Sequence, residues 1–158
     1  KEWYLEEEHL LEKDMSKNER ISHIGSTAVH SIWAKPIIDI LLEVPRESDL
    51  LYYKDLIINS GYICMSQTEN RLSFNKGYTE NGFAKRVFHL HLRYAGDNNE
   101  LYFRDYLIEY PEVAKEYEEL KFKLWKKYEH NRDAYTNGKT ELVKKYTEKA
   151  KILYRNRY

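Results

Sequence analysis

The residues of this chain best suited to chemistry fall into two groups. The first is His23-Ile24-Gly25-Ser26-Thr27-Ala28-Val29, followed by Lys35-Pro36-Ile37-Ile38-Asp39-Ile40. A Gly-Ser turn that leaves a strand and enters a short helix or turn offers backbone N–H groups at Gly25 and Thr27, the Ser26 hydroxyl and the positive end of a helix dipole. These groups suit phosphate oxygens. Asp39 then interrupts an apolar strand, where a carboxylate is costly to bury without a partner, and a metal ion bound to that phosphate is one such partner. The second group is Phe88-His89-Leu90-His91. Histidines two apart on a strand share a face and lie roughly 6.6–7 Å apart along it. Together they can grip one metal or one phosphate, or one of them can act as a base. Asp39, His89 and His91 are therefore the candidate catalytic and metal-binding residues.

Further cations and a tyrosine could complete the pocket. Lys35, Arg71, Lys76 and Arg86 flank the candidate strands and suit a nucleotide's phosphates, arginine by bidentate contact. Tyr135 and Lys139 lie four apart on a predicted helix and could reach a ligand together. Two other motifs lead nowhere. Gly138-Lys139-Thr140 resembles the tail of a P-loop, but Asp133 occupies the upstream glycine position and the segment reads as helix. Cys64, the single cysteine, sits in an apolar strand as a packed thiol; it can form no internal disulfide and no thiolate zinc cluster. The 15 tyrosines read as amphipathic packing rather than a base-stacking surface.

The elements that must position these groups divide into a mixed half and a helical half. Residues from Trp3 to about Met15 read as a surface helix. Arg20–Ile24 and Ile37–Val44 read as strands, the second almost wholly apolar. Ser48 is a suitable N-cap for a helix to about Asn59, with Gly61 at its end. Two short strands follow, 62–65 and 71–74. Lys76-Gly77 and Asn81-Gly82 mark turns around a polar excursion. Residues 86–93 alternate with period two, as a strand with one polar and one apolar face. From about residue 98 the period becomes 3.6, giving helices through Leu107, from Pro111 to about Tyr128, and from about Arg132 to Arg155. Strands followed by helices indicate an α+β domain with a helical C-terminal region. Residues 1–158 are expected to form one domain, its sheet core at about 18–95 and its helices at about 98–155.

Composition narrows the function classes. Apolar residues make up 42% and charged residues 33%, a globular balance that excludes a disordered chain. Lys+Arg and Asp+Glu are both 26, so a strongly basic nucleic-acid binder is not indicated. No apolar run approaches the roughly 18–20 residues of a membrane span. The acidic opening Lys1–Glu8 is unlike a signal peptide, and the missing initiator Met suggests a trimmed start. A reducing compartment, the cytoplasm, is the expected location.

Gly25–Val29, Lys35–Ile40 and His89-Leu90-His91 resemble the GrpB family, also called uncharacterised protein family 0157. The similarity continues through Phe103–Leu107, Pro111–Tyr117 and Asp133–Glu141, so it covers nearly the whole chain. The resemblance implies a nucleotidyltransferase-like fold, a mixed β-sheet flanked by helices. It also implies a nucleotide or related phosphorylated ligand and a divalent metal, Mg2+ or Mn2+. GrpB-like domains occur fused to dephospho-coenzyme A kinase, which adds coenzyme A precursors to the candidate ligands.

One departure bears on activity. Nucleotidyltransferases carry an Asp-x-Asp/Glu pair after the Gly-Ser turn and a third acid on a later strand. Asp39 matches the first acid, but Leu41 stands at the second position. Glu43 faces the same way but lies roughly 13 Å from Asp39 along the strand, too far to share one ion or serve a two-metal centre. The later strand offers His89 and His91, whose nitrogens favour ions such as Zn2+ or Fe2+. Three readings stay open: transfer of a nucleoside monophosphate to a small acceptor or protein hydroxyl, a non-catalytic nucleotide-binding module, and a metal-dependent hydrolase built on Asp39, His89 and His91.

Overall fold

The computed structural model describes residues 1–158. The chain forms two compact units, residues 1–28 with 34–98, and residues 29–33 with 99–158. The first begins with α1 (Glu2–Glu12) and β1 (Arg20–Ile24), then a single 3-10 turn at Ser26–Ala28. β2 (Ile37–Val44), α2 (Leu50–Asn59), β3 (Ile63–Gln67), β4 (Arg71–Thr79) and β5 (Gly82–Tyr94) complete it. The five strands lie in the order β1-β2-β5-β4-β3. β2 and β5 run parallel and every other pair is antiparallel, so the sheet is mixed.

Strand alternation gives the sheet two unlike faces. Ile38, Ile40, Leu42 and Val44 of β2 join Phe88, Leu90 and Leu92 of β5 and Leu72 and Phe74 of β4 in one core. Tyr4 and Leu11 of α1 and Leu50, Tyr53 and Ile57 of α2 belong to the same core. The other face carries Asp39, Leu41 and Glu43 on β2. Register sets these beside His89, His91 and Arg93 on β5, and those beside Asn75, Ser73 and Arg71 on β4.

Several boundaries differ from expectation for local reasons. Asp49, not Ser48, caps α2 by accepting from the Leu51 N–H at 2.9 Å. In α1 the buried stripe is Tyr4, Glu7 and Leu11, while Leu5 and Leu10 face outward. Glu7 is tolerated there because its Oε1 accepts from Tyr62 Oη at 2.9 Å and from Lys76 Nζ at 2.6 Å. The polar excursion is no loop. β4 and β5 extend through it as one long hairpin that turns at residues 80–81, and the register shifts between Lys76 and Tyr78. Gly77 makes that bulge possible: its φ is +97°, and a Cβ there would fall 2.1 Å from the Arg86 carbonyl oxygen. Cys64 is half-buried and packs against the rim of the core, as a small apolar group.

The second unit comprises residues 29–33 with α3 (Asn99–Glu109), α4 (Pro111–Lys127) and α5 (Arg132–Leu153). Pro111 opens α4, and Asn131 caps α5 by accepting from the Ala134 N–H. Val29, Leu107, Val113, Ala114, Tyr117 and Tyr146 form its core. Gly138 lies within α5 because α4 comes close: a Cβ there would meet Leu124 Cδ2 at 2.4 Å. That packing, rather than phosphate binding, accounts for the glycine of the P-loop-like tripeptide.

Candidate functional site on the polar face of the sheet

Gly25 ends β1 with φ at +73°, a conformation that L side chains avoid. The turn brings its Cα against the next strand, so that a Cβ would sit 2.6 Å from Asp39 Oδ2. Ser26 and Thr27 follow in the 3-10 turn, closed by the Ala28 N–H donating to the Gly25 carbonyl at 3.1 Å. Three residues carry no helix macrodipole of consequence, so the expected dipole contribution to anion binding falls away. Thr27 is committed to structure. Its hydroxyl donates to the Ile37 carbonyl at 3.2 Å and lies 2.9 Å from His23 Nε2, while His23 stacks on Tyr4.

Asp39 pairs in register with His89 across the parallel β2–β5 ladder, one row from His91. Asp39 Oδ1 lies 3.5 Å from His89 Nδ1 and 3.8 Å from His91 Nε2. The other ring nitrogen of His89 shares a 2.8 Å hydrogen bond with the Tyr78 hydroxyl. A proton on Nδ1 satisfies both contacts at once: Nδ1–H points at Asp39, and Nε2 accepts from Tyr78. The Tyr78 ring also lies nearly parallel to the imidazole, with centroids 6.0 Å apart at 12°. Burial pushes the Asp39 carboxyl up, but hydrogen bonds and charge from His89 and His91 outweigh it and leave the group below its ordinary value.

Of the central candidates Ser26, Asp39, His89 and His91, the last three come together, Gly25 packs against Asp39, and Ser26 follows Gly25 in the turn. Lys35 is exposed in the loop before β2. The remaining cations go elsewhere. Arg71 lies on the polar face but holds Asp97 by two hydrogen bonds of 2.7 Å each. Lys76 pairs with Phe88 in register, so it projects from the opposite face, where it meets Glu7. Arg86 binds Glu6 and lies over the Trp3 ring. Lys76 and Arg86 line a cavity of about 490 Å³ beside α1, with Glu6 and Glu7 among its walls. Both cations therefore serve the acids of α1 rather than Asp39. Tyr135 and Lys139 lie in α5 of the second unit, where the ammonium sits 4.6 Å from the tyrosine ring centroid.

Leu41 and Glu43 bear on the acid pair. Leu41 is fully buried between His91 and Ser22 in register. Glu43 is a structural carboxylate: Oε1 accepts from the Gly96 N–H at 3.2 Å and from Asn98 Nδ2 at 2.8 Å, and Oε2 faces Arg20 at 3.6 Å. Neither serves as a second catalytic acid. Nor do three His, Cys, Asp or Glu side chains anywhere form a group able to hold a metal ion. At the patch the reason is visible, since His89 spends both nitrogens on Asp39 and Tyr78. A self-sufficient metal centre does not fit these residues. A magnesium ion carried in on ligand phosphates asks less, one or two carboxylates with substrate oxygens supplying the rest, and Asp39 meets that requirement.

Periodicity alone does not place Tyr78 at the site. Counting by twos back from His89 and across the hairpin leads to Asn75, and only the bulge at Gly77 turns Tyr78 onto the same face. A tyrosine just beyond a glycine in a hairpin was the available signal.

Comparison with known proteins agrees with this architecture. The model of the family described as GrpB protein matches residues 1–149. The UPF0157 protein YqkA of Bacillus subtilis is 36% identical over 134 residues, which are 83% of this chain and 38% of that protein. The UPF0157 protein PA4798 of Pseudomonas aeruginosa is 40% identical over 126 residues, 78% of this chain and 52% of its own length. The chain therefore spans about half or less of these two relatives. The glutamate-rich protein GrpB of Alkalihalophilus pseudofirmus is 37% identical over 151 residues, 90% of this chain and 86% of that one. The crystal structure of GrpB from Enterococcus faecalis superposes with a TM-score of 0.76 at 31% identity, covering 97% of this chain and 93% of that one. The Cid1 poly(U) polymerase solved with MgGTP bound superposes at 0.55 with 14% identity, over 80% of this chain and 41% of that one, a likeness of fold alone. The fold is thus nucleotidyltransferase-like, and the chain, matched from its first residue through most of α5, belongs to the GrpB protein family.

Proposed function

We propose that the polar face of the sheet binds a nucleotide or a related phosphorylated small molecule. One observation carries the reading: Asp39 is held between the Gly25 turn and two imidazoles on the polar side of a nucleotidyltransferase-like sheet. Ser26 and the backbone of the turn would contact phosphate oxygens. Asp39 would face a Mg2+ or Mn2+ ion that arrives with the ligand, and such an ion would neutralise phosphate charge. His91, whose Nε2 stands 3.8 Å from Asp39, is the imidazole not already bridged to Tyr78.

Transfer of a nucleoside monophosphate is the extension of this reading. An acceptor hydroxyl would attack the α-phosphorus in line, the new P–O bond forming as the bridge to the β-phosphate breaks. Pyrophosphate would leave, and the hydroxyl proton would pass to His91 as base. Buried Leu41 favours the alternative that the module binds without transferring, because the site has one acid where a two-metal mechanism needs more. A hydrolase built on Asp39, His89 and His91 is the less favoured alternative, because His89 already engages Tyr78 and Asp39 with its two nitrogens.

The test is a thermal-shift screen of nucleotides and coenzyme A precursors with magnesium, manganese or zinc. It compares the natural sequence with Asp39→Ala and with His89→Ala/His91→Ala. A ligand at about 100 times its dissociation constant adds roughly 2.7 kcal/mol. A shift lost in both variants supports the site, and one that survives both sinks it. Pyrophosphate release then separates transfer from binding alone.

A further inference from the structure

We infer that Tyr78 and Phe83, at the outer end of the β4–β5 hairpin, form a stacking platform for the base of a nucleotide whose phosphates occupy the Gly25–Ser26 turn. This rests on the site proposed above and names its substrate class: a ligand with a planar, aromatic nucleobase, not a simple phosphorylated sugar or acid.

Tyr78 and Phe83 are register partners across the hairpin, and their rings meet edge to face with centroids 5.1 Å apart. Tyr78 is 41% exposed and Phe83 72%. A lone exposed aromatic needs no explanation, but these two are joined to the polar site. The Tyr78 hydroxyl is tied to His89, and His89 is tied to Asp39, so the ring is held at a set angle rather than left free to rotate. A pre-oriented ring loses little entropy when a flat ligand settles on it. The bulge at Gly77 is the device that turns Tyr78 onto this face.

Sheet order then supplies the spacing. Gly25, Asp39, His89 and Tyr78 lie on or at the ends of β1, β2, β5 and β4, four neighbouring strands. Three strand spacings make roughly 14 Å, comparable with the reach of an extended nucleoside polyphosphate from base to terminal phosphate. One end of the row is a Gly-Ser turn suited to phosphate, the middle is a carboxylate with two imidazoles, and the far end is aromatic. A phosphorylated ligand without a base would use the first two and leave the third exposed. Stacking tolerates every base because each has a π face, so the platform sets ligand class more than base identity.

Isothermal titration calorimetry in magnesium tests this with two kinds of probe, the four ribonucleoside triphosphates and inorganic tripolyphosphate. The proteins are the natural sequence, Phe83→Ala, Tyr78→Phe and Tyr78→Ala. The expected result is tighter binding of nucleotides than of tripolyphosphate. Phe83→Ala and Tyr78→Ala should weaken nucleotides roughly tenfold, as for loss of one base–aromatic stack. Tripolyphosphate affinity should stay unchanged in Phe83→Ala, and Tyr78→Phe, which keeps the ring but cuts its tie to His89, should weaken nucleotides less than Tyr78→Ala does. Phe83 is largely exposed, so its replacement leaves the core intact and keeps the test open if Tyr78→Ala folds poorly. Equal binding of tripolyphosphate and nucleotides by the natural sequence overturns the platform while the phosphate site stands. Binding of neither overturns both. Parallel weakening of both probes in Phe83→Ala reduces the aromatic pair to a structural role.

Discussion

Gly25 and Asp39 touch: the space a side chain would need at Gly25 is taken by the Asp39 carboxylate, 2.6 Å from the position of a Cβ. The turn that would bind phosphate and the acid beside it are therefore one packed unit, and each limits what the other can become. Replacing Gly25 by alanine should cost about 1–2 kcal/mol from its positive φ alone, with the clash added. In the Asp39→Ala background the clash is gone, so the cost should shrink toward the backbone term. A double-mutant cycle by urea unfolding measures the difference, and strict additivity would contradict the contact.

Asp39 should also leave a mark on the pH dependence of stability. Its carboxyl titrates below the ordinary value of 3.8 in the folded chain, burial being outweighed by His89 and His91. A lowered folded pKa means that the unfolded chain binds the proton first as acid is added. The stabilisation is therefore complete above the unfolded value and is lost as pH falls from about 3.8 through the folded pKa. Comparison of the natural sequence with Asp39→Asn by denaturant titration should show a gap that closes in that acidic range. A gap that stays constant to the lowest pH argues against ionised Asp39 as the imidazoles' partner.

Restoring the absent second acid should fail. Leu41 is fully buried, and an aspartate there would be a desolvated charge with no cation assigned to it. Leu41→Asp should destabilise by more than about 3 kcal/mol, and Leu41→Ala by about 2–5 kcal/mol through its cavity. Circular-dichroism melts compare them. If Leu41→Asp folds normally and releases pyrophosphate, the position tolerates charge and the binding-only reading loses its chief support.

Gly138→Ala makes a prediction that helix propensity alone gets wrong. Alanine should help an α-helix by about 1 kcal/mol relative to glycine. Here its methyl would lie 2.4 Å from Leu124 Cδ2, and overpacking costs about 1–3 kcal/mol. A net loss of stability is expected, with recovery when Leu124 is shortened to valine in the same chain. A simple gain from Gly138→Ala would mean that α4 and α5 are less closely packed.

Much of the fold is legible in local pattern. The largely apolar run of β2 broken by Asp39 and Glu43, the alternation of β5 and the change to helical period after residue 98 are consequences of nearest-neighbour chemistry. They mark strands, faces and helices before any contact is known. That His89 and His91 share a face follows from the same periodicity, whereas their place beside Asp39 is set by the β2–β5 register. Pattern carries no register, however. Arg71, Lys76 and Arg86 look equivalent as flanking cations, and only the folded sheet separates them: one holds Asp97, and two bind the acids of α1 on the far side.

The sequence by itself determined that this chain is an α+β protein resembling the GrpB family, with a glycine turn, an acid on one strand and two imidazoles on one face of another. Tertiary structure decided which groups join them. The irregularity at Gly77, where one residue of β4 stands opposite four of β5 and the register shifts by three, changes the side on which the hairpin's later residues project, bringing Tyr78 to His89 while Lys76 stays behind with Glu7. Side-chain direction in a strand depends on the parity of every residue back to the last fixed pair. An odd shift of register therefore changes the site without changing the pattern that marks the strand.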